Sequence, residues 1–146
     1  MDKFSVKNDR RRYFRIDLDT PLCTEMTIVE INSKKIKSGI TNVCVSNIGA
    51  GGLSFTSPLD FPMGKEILFR FNTTIFKESI YFIGNIIRNK KIKDDLYKYG
   101  VHFILDDQIE TKYIRILNRL SIALKKNPKN VEYSTCTRNK CRYADT

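Results

Sequence analysis

The chain is short of the residue types on which acid–base and metal chemistry depend. Its 146 residues include one histidine, His102. A lone histidine with no acid or thiol in pattern beside it is a poor start for catalysis. It also stands out of phase with Val101 and Phe103 in a strand-like run, which places it at the surface. There are four cysteines. Cys23 and Cys44 fall in apolar, strand-like stretches and are expected to be buried thiols. Cys136 and Cys141 form a single CxxxxC pair in a polar tail, whereas zinc sites commonly use two closely spaced pairs. No metal is therefore expected. Asp94, Asp95, Asp106 and Asp107 cluster in turns and at a helix start rather than as a catalytic pair. A phosphate-binding P-loop, a nucleophile elbow and a zinc-protease helix are all missing. These absences predict a protein that is not an enzyme and carries no cofactor. No run is long and apolar enough to cross a membrane. The charged N-terminus lacks the apolar stretch of a secretory signal. A cytoplasmic protein with mostly reduced thiols is expected.

What the chain has in excess is positive charge. Lysine and arginine number 26 against 16 acidic residues, for a net charge of +10. That sign favours anionic partners such as nucleotides, nucleic acids or lipid headgroups without choosing among them. Many lysines, including Lys34, Lys35, Lys37, Lys90, Lys91 and Lys93, sit around predicted turns and read as solvated surface. A hydrophobic fraction of 41% suffices for one domain with a core.

The pattern predicts several short strands followed by one helix. Residues 21–31, PLCTEMTIVEI, are rich in β-branched residues and read as a strand, and Asn32-Ser33 reads as a turn. KIKSGITNVCVS gives a second strand. Gly49, Gly51 and Gly52 are expected to make a tight turn through positive φ. LSFTS, KEILFRFNT, SIYFIGNIIRN and YKYGVHFIL follow as further strands. Ile67, Phe69 and Phe71 share one face of the clearest strand, and Gly84 marks an expected bulge. KKIKDD reads as a basic turn. Ile109, Tyr113, Ile116, Leu117, Leu120 and Leu124 then recur at helical spacing. Asp107 with Glu110 marks the helix start, and Pro128 limits its end to near Asn127. This order suggests a mostly β fold, a small antiparallel β-barrel with a C-terminal α-helix whose apolar stripe belongs to the core. Residues 1–9 form a polar N-terminal segment, 10–127 the domain, and 128–146 an irregular, cysteine-containing tail.

Two stretches carry the chemistry. The first is RRRYFRIDL, residues 10–18. A guanidinium is a planar fork of donors that grips phosphate oxygens or the O6/N7 edge of guanine, and it also stacks on a purine face. Arg11 and Arg15, spaced RxxxR, are able to engage two parts of one nucleotide, with Arg10 and Arg12 adding contacts. Taken alone, the run reads as an ordinary basic tail. The second stretch is VSNIGAGGLSF, residues 45–55. The Asn47 side chain both donates and accepts, so it can read a base edge. The glycines beside it let the backbone approach a flat ring. Taken alone, it reads as a Gly-rich turn.

Together the two resemble the motifs of the PilZ domain family, receptors for the bacterial second messenger cyclic di-GMP. That family carries RxxxR just before its first strand and [D/N]xSxxG between its second and third strands. Arg11 and Arg15 match the first motif, and Asn47 and Gly52 match the ends of the second. YKYGVHF resembles the family's final strand, Y-x-x-G-V-x-F, and a helix follows it. The resemblance spans residues 10–126. It implies a six-stranded antiparallel barrel with a C-terminal helix. The arginine segment would fold over cyclic di-GMP, and the second motif would cradle a guanine. Arg10, just before RxxxR, implies an intercalated ligand dimer rather than one molecule. Arg88, in NIIRN, matches a position where some members set a tryptophan or arginine against a guanine. The output implied is contact with a downstream protein partner, of the motility, surface-polysaccharide or biofilm type.

One position departs from the family. Gly49 stands where the motif has serine, so one hydroxyl is missing. A lost hydrogen bond of this kind costs about 0.5–1.5 kcal/mol, or about three- to tenfold in affinity. Two other readings stay open. One is a ligand-blind protein-interaction adapter of the same fold. The other is a nucleic-acid-binding barrel that stacks bases on Tyr81, Tyr97 and Tyr99, the less favoured because those tyrosines read equally as ordinary strand residues.

Overall fold

A computed structural model describes residues 15–104 and 107–127, together with Val131 and Tyr133. For residues 107–109 only the backbone is described. The chain forms β1 (Arg15–Ile31), β2 (Lys34–Lys35), β3 (Thr41–Gly49), β4 (Gly52–Ser57), β5 (Ile67–Ile75), β6 (Glu78–Lys93), β7 (Leu96–Ile104) and α1 (Asp107–Lys126). All pairings between strands are antiparallel. Six strands follow one another as β1-β3-β4-β7-β6-β5, and β5 pairs back onto β1. The sheet thus closes into a ring, as the expected barrel with a C-terminal helix requires. No described helix is long and apolar enough to cross a membrane.

β1 makes the closure possible. It is 17 residues long and begins at Arg15 rather than near Pro21 as the pattern suggests. Its first part pairs with β3 from Arg15↔Gly49 to Met26↔Thr41, and its second part pairs with β5 from Glu25↔Asn72 to Ile31↔Ile67. The register shifts between Asp17 and Leu22, and again between Ile28 and Glu30. Such irregularities bend a strand and raise its twist, which lets one strand serve both edges. Asn32 and Ser33, at φ 51° and 67°, turn the chain into β2. This is the paired left-handed geometry that tight hairpins favour. Phe76 and Lys77, at φ 53° and 63°, make the same kind of turn between β5 and β6.

Three sequence expectations are corrected. Gly49, Gly51 and Gly52 do not turn through positive φ; among the described glycines only Gly64 does. Gly52 is needed for close approach instead, since a Cβ there would lie 2.0 Å from the Val101 carbonyl oxygen. Gly84 is not a bulge. It pairs regularly with Phe69 and Phe103, and a Cβ on it would lie 2.5 Å from the His102 carbonyl oxygen. The shifts in β6 fall instead at Ile86/Arg88 and Lys91/Lys93. KKIKDD is not all turn: Lys90 to Lys93 continue β6, and the reversal comes at Asp94 and Asp95, the latter at φ 63°. Strand pairing with β7 overrides the polar composition there.

The interior follows the strand alternation. Ile67, Phe69 and Phe71 are buried, and Arg70 between them is exposed. Val101 and Phe103 are buried, whereas His102 faces out as expected. Cys23 is buried and free. Cys44 is buried as expected but is disulfide-bonded rather than a free thiol. Strand context foretold its burial but carries no information about its partner. Cys136 and Cys141 lie outside the described residues.

The ring is plugged at both ends. After β4, residues 58–64 fold Phe61 against Phe55, Phe69 and Tyr99. The Tyr99 hydroxyl fixes this loop by donating to the Leu59 carbonyl at 2.6 Å and accepting from the Phe61 N–H at 2.9 Å. At the opposite end of β4, α1 buries Tyr113, Ile116, Leu117 and Leu120. Tyr113 packs on Phe82 and Phe103, with ring centroids 4.4 and 5.6 Å away. The helix stripe is thus core, as its period predicted. The Ile109 side chain lies outside the described residues. Tyr133 bridges to Ile75 and donates to the Thr20 carbonyl.

Phe55 sits at the centre of one aromatic cluster with no exposure and touches Phe61, Phe71 and Tyr99. Phe55→Ala is expected to lower stability by about 3–5 kcal/mol, read as a lower urea midpoint. Ile104→Ala, at a position 53% exposed, is expected to change it by less than about 0.5 kcal/mol.

Candidate functional site

The sequence-predicted residues that the structure describes converge on one side of the ring. Arg15 opens β1 opposite Gly49, the last residue of β3. Its Nη1 donates to Asn47 Oδ1 at 2.8 Å. The two motifs, 32 residues apart in the chain, are therefore joined by a side-chain bond. Arg10, Arg11 and Arg12 lie outside the described residues.

Strand register extends the site away from Arg15. Asn47 pairs with Asp17 on one side and Ser54 on the other; Ser54 pairs with Gly100, and Gly100 with Arg88. Directly paired residues present their side chains on the same face. Asn47, Ser54, Gly100 and Arg88 thus form one row across four strands, about 14 Å from end to end at normal strand spacing. The Arg88 side chain lies across Gly100: a Cβ added there would sit 3.1 Å from Arg88 Nε and 3.3 Å from Nη2. The row carries a half-buried amide and an exposed guanidinium, with the buried Ser54 and Gly100 between them. The amide can hydrogen-bond and the guanidinium can stack on a flat heterocycle.

Sequence reasoning picked out Arg15, Asn47, Gly49 and Arg88 and missed Ser54 and Gly100. Alternation about Leu53 and Phe55 places Ser54 on the outer face, but only the register sets it beside Asn47. Gly52 is not brought into the row as a contact surface. It sits opposite His102, pressed against β7.

Gly49 has another role. Its carbonyl accepts a 2.7 Å bond from the Tyr113 hydroxyl, and the next turn is held by Phe103 N–H donating to the Gly51 carbonyl at 2.9 Å. The helix and β7 thus fix the loop that carries the second motif. A buried tyrosine needs a partner for its hydroxyl, and that requirement was the available sequence signal for Tyr113. Burial pushes its ionisation well above 10, opposed by the nearby charge of Arg15. It remains a donor at physiological pH.

A groove of about 300 Å³ runs between the start of β1 and the last turns of α1, lined by Arg15, Asp17, Asp19, Ser121, Lys125 and Tyr133 among others. Its two aspartates disfavour an anionic occupant, and the Arg15 Nη1 is engaged at Asn47 instead. Among the described residues, no group of three or more His, Cys, Asp and Glu is placed to hold a metal ion.

Comparison with known proteins decides the family. The PilZ domain profile matches residues 9–123. The chain belongs to the PilZ domain family. Solved PilZ-like structures share its fold. The Bacillus subtilis inhibitor of motility MotI/DgrA aligns at 17% identity and a TM-score of 0.57, over 78% of this chain and 52% of that one. Escherichia coli YcgR, solved in complex with c-di-GMP, aligns at 16% identity and a TM-score of 0.53, over 82% of this chain and 50% of that one. The chain therefore matches about half the length of each. Comparison with curated proteins found no significant match.

Tyr113→Phe tests the link between helix and loop. Leaving the Gly49 carbonyl without its partner is expected to cost about 1–3 kcal/mol. Because the folded-state pKa of Tyr113 is raised, its contribution is complete below the unfolded value of about 10 and is lost as pH rises through the folded one. Denaturant titrations between pH 8 and 11 should show a steeper alkaline loss in the natural protein than in Tyr113→Phe. Parallel curves would refute the assignment.

Proposed function

We propose that this PilZ domain is a cyclic di-GMP receptor and not an enzyme, working in the cytoplasm. The observation that carries the reading is the Arg15–Asn47 bond, which ties the RxxxR segment to the second motif at one end of a row that finishes on Arg88. In this reading Arg10, Arg11, Arg12 and Arg15 hold phosphates and guanine edges. Asn47 reads a guanine, and Arg88 stacks from the far end of the row. The ligand draws the segment before β1 onto the face of the ring. That changes the shape and charge presented to a downstream protein partner. Arg10 favours two intercalated ligands per chain. YcgR, whose fold is similar, was solved with c-di-GMP bound.

The missing serine hydroxyl at Gly49 weakens the site without removing it. Gly49 contributes its backbone carbonyl to Tyr113, and Ser54 sets a hydroxyl beside Asn47 in the same row. Gly49 is not among the positive-φ residues, so a serine there meets no left-handed backbone strain.

Isothermal titration of the protein with cyclic di-GMP tests the reading, with GTP and linear pGpG as controls. Saturable, selective binding is expected, at a stoichiometry near two. Arg11→Ala and Arg15→Ala are each expected to weaken it by about ten- to a hundredfold, the worth of a charge-assisted hydrogen bond. Gly49→Ser is expected to tighten it by about three- to tenfold. No heat and no shift in melting temperature would leave a ligand-blind adapter. Salt-dependent binding of single-stranded nucleic acid, without preference for the dinucleotide, would favour the nucleic-acid reading.

A further inference from the structure

Beyond Arg88, the β6–β7 hairpin carries a feature that the proposed dinucleotide site does not use. β6 pairs with β5 from Glu78 to Gly84. Asn85 then caps the start of β5, its Nδ2 donating to the Ile67 carbonyl at 2.8 Å and the Lys65 carbonyl at 3.2 Å. From residue 87 to 93, β6 continues with β7 on one side only. Among the described residues, no strand pairs with its other edge. All seven of these residues are exposed, whereas buried and exposed residues mix in the rest of the strand.

An open strand edge of this length is a template for another chain. Its charge limits what fits. Arg88, Lys90, Lys91 and Lys93 lie along the edge, and Lys90 stands directly opposite Lys98 on β7. Like charges directly opposed across strands are destabilising. Lys91 forms an ion pair with Asp94 at 3.5 Å, between highly exposed side chains. Ile87 and Ile92, 51% and 48% exposed, add apolar contacts between the cations. Lysines on an edge keep two copies of the same edge apart. The segments before residue 15 and after residue 127 are themselves net basic. Neither a second copy nor the chain's own ends suit the charge.

We propose that residues 87–93 dock an acidic, extended segment of a partner protein, which adds to the sheet as a further strand beside β6. Backbone hydrogen bonds set its position. Carboxylates at alternate positions meet the lysines, and small apolar side chains cover Ile87 and Ile92. The proposal shares Arg88 with the proposed dinucleotide site, but it rests on the open edge and the lysines and does not need ligand at Arg15 and Asn47.

The test uses the full chain and a fluorescent, blocked eight-residue peptide of alternating glutamate and valine. Its comparison is the same peptide N-methylated on alternate backbone nitrogens, which keeps the charge and removes strand donors. The unmodified peptide is expected to bind at least about tenfold more tightly, and to slow amide exchange within residues 87–93 by at least about tenfold. Lys90→Glu combined with Lys91→Glu and Lys93→Glu should weaken it at least about tenfold. Should that variant unfold, the two peptides on the natural protein still decide. Equal affinity for both peptides, protection elsewhere in the chain, or no binding would overturn the proposal. So would outer-edge amides of residues 87–93 already protected in the free protein, because the chain itself would then cover the edge.

Discussion

The structure depends on one strand pairing on both of its sides. A sheet this small has two edges, and each unpaired edge exposes backbone donors and acceptors. β1 removes that problem for most of the ring by meeting β3 with its first part and β5 with its second. The strand must be long and bent to do so, and the register shifts after Asp17 and Ile28 supply the bend. Everything inside follows from closure. Phe55, Phe69, Phe71, Phe82 and Tyr99 are buried because the ring encloses them. The two open ends need plugs, which Phe61 and α1 provide.

Closure also places the candidate site. Because β1 must reach β3 at its very start, Arg15 is held opposite Gly49 and within bonding distance of Asn47. Because α1 must fill the adjacent end, Tyr113 comes to lie beneath the same loop and bonds its carbonyl. The motif residues are thus tied to the core through two hydrogen bonds, one from a strand and one from the helix. The bond between Gly49 and the buried Tyr113 links this loop directly to α1. The exposed stretch of β6 is the exception to closure, and it is exposed for a geometric reason: β6 is 16 residues long and its partner β5 is nine.

The parts of the fold that were legible in sequence are those governed by local period. Phe69 and Phe71 inward with Arg70 outward, His102 outward between Val101 and Phe103, and the helix stripe through Tyr113 and Leu120 all follow from side-chain alternation or helical spacing. What was not legible depends on partners distant in the chain. The stretch from Lys90 to Lys93 reads as a polar turn by composition, yet pairing with residues 96–98 holds it as strand. Arg15 reads as part of a loose arginine segment, yet pairing with Gly49 makes it the first residue of β1. Gly100 stands in the family-like YKYGVHF run and Ser54 alternates outward between Leu53 and Phe55, but their place beside Arg88 and Asn47 exists only in the register of four strands.

The glycines show why a motif letter and a binding role are different things. Gly52 closes the family's second motif, but its lack of a side chain is demanded by β7: any Cβ would collide with the Val101 carbonyl. Gly84 is constrained in the same way by the His102 carbonyl. Both positions would be held by packing alone in a protein of this fold that bound nothing. Gly100 differs, because what a Cβ would meet there is the side chain of Arg88, a flexible group with room to move. Its bare backbone is not required by neighbouring backbone; it lies buried beneath the Arg88 guanidinium. Arg15 and Asn47 are part-buried polar side chains bonded to each other. In the receptor reading proposed above, recognition falls to Arg15, Asn47 and Arg88 rather than to Gly52. Gly52 reports that the ring is closed.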